Sequence, residues 1–196
     1  MSILGDLWSG IKSVFSTAPA GAVVTPCPAG ALTPAQAQAW FDTFKARGDI
    51  PWNYPDDCCY NRAHVMVQAL QAACVDAGKA WNYATAKSGP LHVATPNSPA
   101  GFVEWGYHVA PTVPVIGANG VVSPMVLDPS IASGPITPQQ WAGLQGRAGS
   151  ALVQTDATPY YRDINGRVAP TPGDAEVLSI FDDHRAARAA NFPRSP

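Results

Sequence analysis

Two adjacent thiols, Cys58 and Cys59, stand in the run Asp56-Asp57-Cys58-Cys59-Tyr60-Asn61-Arg62-Ala63-His64, at the head of a stretch with helical spacing. A cysteine sulfur attacks as the thiolate, and the unpaired N–H groups and positive dipole end of a helix N-terminus favour that anion. The same N–H groups can hold an oxyanion above the sulfur. The apolar stripe Ala63, Met66, Leu70, Ala73 and Ala77 steps back four residues onto Cys59. Cys58 steps back from Arg62 and is expected on the polar flank. Helical phase therefore selects Cys59, half buried at a helix start. A buried cysteine also fits a purely structural role, so a nucleophile needs a base and an orienting acid beside it.

The chain has four histidines. His64 follows Cys59 by five residues, roughly 140° around a helix, so it points away and reads as a packing or surface residue. His92 follows a Ser-Gly-Pro turn, and His184 sits among Asp and Arg residues near the end, where it reads as solvated. His108 is different. In Val103-Glu104-Trp105-Gly106-Tyr107-His108-Val109 the bulky Val103, Trp105, Tyr107 and Val109 share one face of a strand. Glu104, Gly106 and His108 share the other, which leaves space beside the ring. Asp128 ends a second strand candidate, Val121 to Asp128, where Pro129 stops it. Antiparallel pairing of the two strands across Pro114 to Gly120 would bring this carboxylate to the imidazole. An Asp before Pro is equally a turn residue.

The elements that must position these groups follow from pattern. Ile3, Leu4, Leu7, Trp8, Ile11, Val14 and Phe15 repeat at helical spacing, giving an amphipathic helix before a Pro- and Gly-rich linker over residues 17–32. That helix either packs on its own domain or docks on another protein or a membrane surface. We take residues 1–30 as this appendage and 31–196 as one domain. Thr33-Pro34 starts a helix to about Arg47, with Trp40, Phe41 and Phe44 as its apolar face. The cysteine helix is expected from Cys58 to Ala77, stopped by Gly78. Strands are expected over Lys79 to Ala86, Phe102 to Val115 and Val121 to Asp128, with residues 87–101 as a long loop near the site. Thr137-Pro138 starts a short helix through Trp141, Tyr160 to Val168 forms a hairpin around Asn165-Gly166, and a last helix spans Gly173 to Asn191, with Leu178 and Phe181 inward. Helices first and strands later give an α+β domain, a nucleophile helix packed on an antiparallel sheet.

Composition narrows the function classes. Charged residues make up 13% and the net charge is -2, so there is no basic footprint for nucleic acid. No apolar run reaches the length of a membrane span. The first 16 residues lack a basic leader, and Asp6 and Lys12 interrupt the apolar stretch, so they read poorly as a secretory signal. Four cysteines without a CxxC pair, and no histidines at ligand spacing, give neither a disulfide scaffold nor a metal site. No cofactor is expected.

The segment Ile50-Pro51-Trp52-Asn53-Tyr54-Pro55 through His64 resembles the nucleophile segment of bacterial protein-glutaminases, a hydrophobic-aromatic-Tyr-Pro lead-in, a small residue, Cys-Tyr, then Arg-Ala-His. Trp105-Gly106-Tyr107-His108-Val109-Ala110 resembles their base segment and Leu127-Asp128-Pro129-Ser130 their acid segment, in the same order. The resemblance covers about residues 48 to 131 and implies a papain/transglutaminase-like fold with Cys59, His108 and Asp128 as catalytic residues. It implies hydrolysis of the side-chain amide of protein-bound glutamine to glutamate and ammonia through a Cys thioester. A papain-like peptidase or a transglutaminase uses the same three groups, and a non-catalytic binding module is the third reading. Cys58 takes the family's small-residue position, as a spare thiol or a disulfide partner of Cys27. The expected partner is a protein presenting glutamine. Use as a toxin or effector, secreted or delivered into a target cell from the producer's cytoplasm, would add a delivery or immunity protein.

Overall fold

The computed structural model describes residues 30–53, 58–95, 98, 100–146 and 148–191, with side chains through residue 187. The expected helix over 3–15, most of the linker after it and the Asp56-Asp57 pair lie outside the described residues.

Helix α1 (Pro34–Lys45) begins with a reciprocal cap. The Thr33 hydroxyl accepts from the Gln36 N–H, and the Gln36 side chain accepts from the Thr33 N–H. Its Ala37, Trp40, Phe41 and Phe44 point inward at helical spacing. Helix α2 (Cys59–Ala72) ends earlier than Gly78. Cys74 adopts a left-handed φ of 63° and closes the helix: its N–H reaches the Gln71 carbonyl, and that of Val75 reaches Leu70, both at 2.9 Å. Val75 and Leu70 then share the core, completing a Schellman motif with a cysteine where glycine is usual.

Gly78 instead opens β1 (Gly78–Tyr83). A Cβ there would meet the Thr155 carbonyl at 2.5 Å, so glycine lets the neighbouring strand approach. The strands β2 (Leu91–Ala94) and β3 (Phe102–Trp105) form a separate hairpin. They are followed by β4 (Tyr107–Ile116), β5 (Val122–Val126) and β6 (Ala151–Asp156). The main sheet runs β5-β4-β1-β6, every pair antiparallel. Helix α3 (Pro138–Gly143) precedes β6, and β7 (Tyr161–Arg162) with β8 (Val168–Ala169) make a small hairpin before α4 (Asp174–Asn191).

The largest core unites Phe41 and Phe44 of α1, Met66 and Leu70 of α2, Val113 and Val115 of β4, and Phe181 of α4. Each such fully buried side chain contributes about 1.5–3 kcal/mol of hydrophobic stabilisation. On the other side of the sheet, Ala80, Ala110 and Val126 pack on Trp141 of α3. This is a mixed structure of helices on an antiparallel, curled sheet.

Several expectations change. Residues 87–101 contain β2, which pairs with Phe102–Trp105. The expected strand from Phe102 to Val115 breaks at Gly106 into β3 and β4, which belong to different sheets. Alternation counted across that break fails. Strand β6 has no counterpart in the sequence reading. Leu178 is exposed, and Val177 takes the inward place beside Phe181.

Candidate active site

Cys58 does not belong to α2. It is the N-cap residue, held at φ 78°, so the phase that placed it on the polar flank does not apply. The left-handed turn puts Cys58 at 0% exposure inside the largest core, correcting the expectation. A non-glycine residue there carries local backbone strain. Cys59 is the first residue of α2, 7% exposed, and clusters with Ala63, Trp81, Tyr83 and Val109. Cys58 and Cys59 are both thiols, which removes the disulfide alternative for Cys58, whereas Cys74 is disulfide-bonded. Cys58 gives α2 no side-chain cap, and the first turn carries no acid; a helix start of this kind favours an anion.

His108 is the second residue of β4, so its ring sits at the end of the strand. The antiparallel β4–β5 pair delivers Asp128 just past Val126, as the sequence pattern expects. His108 Nε2 donates to Asp128 Oδ2 at 2.8 Å, with both side chains almost fully buried. The same oxygen accepts from Trp141 Nε1 at 2.8 Å. Asp128 Oδ1 accepts from the Ser130 N–H at 3.0 Å and from the Ser130 hydroxyl. Four donors therefore converge on one buried carboxylate, which satisfies and fixes it.

Burial alone would neutralise both partners. For His108 that loss is outweighed by the charge and hydrogen bond of Asp128, with smaller contributions from Cys59, and its pKa rises to about 9. Burial pushes Asp128 up, but His108, Ser130 and Trp141 together bring it down to about 2. The pair is an imidazolium and a carboxylate at neutral pH. His108 Nδ1 is buried and makes no hydrogen bond. With Nε2 engaged by Asp128, Nδ1 is the nitrogen left for the Cys59 thiol that acts on the ring.

Residues that sequence reasoning missed complete the site. Trp105 stacks on His108 with ring centroids 4.5 Å apart, not on the opposite face as the unbroken strand would have it. Trp141 stacks on the same ring at 5.4 Å. The Ser130 contacts had a signal: an Asp two residues before a Ser forms a local turn of this kind. The other histidines stay apart from the pair. His64 is buried edge-on to Tyr160, His92 faces Glu104 at 3.5 Å, and His184 is half-buried, not solvated. No group of His, Cys, Asp and Glu among the described residues could hold a metal ion, and no described helix is long and apolar enough to cross a membrane.

The family model described as Glutaminase matches residues 37–145, the span that carries all three groups. The chain belongs to the protein-glutaminase family. The NMR structure of protein-glutaminase from Chryseobacterium proteolyticum is 25% identical with a TM-score of 0.69, covering 85% of this chain and 94% of that one. A crystal structure of a mutant pro-protein-glutaminase is also 25% identical, with a TM-score of 0.71 over 89% of this chain and 65% of that one. A crystal structure of protein-glutaminase at 24% identity and a TM-score of 0.68 shares the fold. No curated protein matches this chain. Membership of the protein-glutaminase family supports deamidation of protein glutamine as its activity.

Proposed function

We propose that the chain deamidates glutamine side chains of proteins with Cys59 as nucleophile, His108 as acid and base, and Asp128 as the group that orients and charges the imidazole. The observation that carries this reading is the buried His108–Asp128 hydrogen bond at 2.8 Å, with the other ring nitrogen buried and unbonded and Cys59 in the same apolar cluster as the adjoining Val109. The Cys59 thiolate attacks the carboxamide carbon, forming a C–S bond, and N–H groups at the start of α2 hold the oxyanion. His108 gives its proton to the departing nitrogen, the C–N bond breaks, and ammonia leaves a thioester. Neutral His108 then takes a proton from water as it attacks the thioester. The C–S bond breaks, releasing glutamate and restoring the thiolate–imidazolium pair. Asp128 holds the ring and balances its charge without taking the proton. The likeness to a pro-protein-glutaminase supports an exported enzyme.

The test is ammonia release from a glutamine-containing protein, with mass spectrometry of the product. Each converted site gains the mass of a Gln-to-Glu change while the chain stays intact. Cys59→Ala abolishes release, and Cys58→Ala keeps most of it because the neighbouring sulfur is buried packing. Chain cleavage would instead assign a peptidase, and incorporation of a primary amine a transglutaminase.

A further inference from the structure

Two indole rings stack against His108, and no step of the deamidation uses either. Trp105 ends β3 and lies 4.5 Å from the imidazole with an interplanar angle of 22°. Trp141 of α3 lies at 5.4 Å and 26°. A cation within about 6 Å of a tryptophan ring centroid is attracted by its quadrupole, more strongly where water is excluded. The ring faces are shielded from bulk water, because His108 and Trp141 are both fully buried.

Trp141 is also held in a closed circuit. Its Nε1–H donates to the Asp128 oxygen that accepts from His108. Its carbonyl accepts from Gln145 Nε2 at 3.1 Å, and Gln145 Oε1 accepts from Asn82 Nδ2 at 3.1 Å. Asn82 is the β1 residue directly opposite His108 in the sheet register. Helix α3 is thus tied to the strand pair that carries the imidazole.

We propose that Trp105 and Trp141 are positioning residues that hold His108 as the imidazolium, the indole faces favouring the charged ring and the Trp141 N–H fixing the carboxylate oxygen that orients it. The inference rests on the roles given above to Cys59 and His108. Among the described residues, the ionisable groups acting on the ring are Asp128, after β5, and Cys59, from α2. Strand β1 presents the uncharged Asn82, while β3 and α3 present the indoles.

Titration of the His108 ring by NMR in the full-length protein tests this without turnover. Trp105 is half-buried, so leucine is accommodated there. Trp105→Leu lowers the pH at which His108 loses its proton by about one unit, and Trp105→Phe restores most of that shift. The alkaline limb of kcat/KM for ammonia release moves with the ring. Trp141→Phe keeps an aromatic face and loses the N–H, so kcat falls about five-fold while KM stays unchanged. A Trp105→Leu ring that titrates with the wild type, in a protein that still releases ammonia, overturns the clamp and leaves the reaction standing. A shifted ring in a protein that releases no ammonia from any substrate overturns the reaction and leaves the clamp standing.

Discussion

At the scale of single residues, the site turns on one carboxylate. Asp128 takes four donors, two on each oxygen, and an amide in its place can accept on only one side. Asp128→Asn removes the charge that outweighs burial at His108, so the ring, left with the pull of desolvation, becomes neutral near pH 7. We expect kcat for ammonia release to fall by roughly 100-fold or more, with His108 titrating below the ordinary histidine range by NMR. A variant whose ring still holds its proton near pH 9 would assign that basicity elsewhere. The face assigned to His108 was counted across the break at Gly106, whereas the placements of Asp128 and Cys59 were legible from type and spacing, because a strand's end before Pro129 and a helix's start after Cys58 fix where those side chains emerge. Trp105 and Trp141 were not. Trp105 reaches the ring only because the chain breaks at Gly106, and Trp141 arrives on a separate helix whose docking no local pattern encodes.

At the scale of elements, caps were easy to read and closures were not. Helices α1 and α3 start at Thr33-Pro34 and Thr137-Pro138, each with a complete capping box. The end of α2 was misread because glycine is the usual left-handed stop and here Cys74 supplies it. Gly78 serves packing between strands instead. Gly78→Ala would drive a methyl into the Thr155 carbonyl, 2.5 Å from the ideal Cβ position, and force β1 and β6 apart. The expected cost is about 1–3 kcal/mol in urea unfolding. Gly48→Ala is the control. Nothing lies within 4 Å of its Cβ position, so it should be neutral or stabilising. Equal stability of the two variants would show that the strands can part without cost. Strand β6 escaped the sequence reading because it is an edge strand with only a partly buried, weakly alternating pattern.

At the scale of the whole molecule, the family match ends at residue 145, yet the likeness to protein-glutaminase covers 85% of the chain. Among the later elements, β6 pairs with β1 and Phe181 of α4 sits in the largest core, and one buried contact ties the electrostatics of this part to α2. His64 of α2 lies edge-on to Tyr160, just before β7, with centroids 5.1 Å apart. Its Nε2 is buried without a hydrogen bond. Burial first, and the charge of Lys79 next, lower its pKa to about 4. Lys79 is itself fully buried, donates to the Pro159 carbonyl, and is lowered to about 8 by burial. The unfolded chain takes a proton on His64 below about pH 6.5 that the folded chain refuses until about pH 4, so stability falls as pH drops through that window. The His108 ring acts with the opposite sign: its contribution is fully present below about pH 6.5 and is lost as pH rises toward 9. Lys79 offsets that loss only above about pH 8, where the unfolded chain stays protonated and the folded lysine does not. The melting temperature should therefore peak near pH 6.5. His64→Leu removes the refused proton and flattens the acid side between pH 6.5 and 4, leaving the alkaline side unchanged in calorimetric scans. An acid side as steep as that of the wild type would assign the proton uptake to another group.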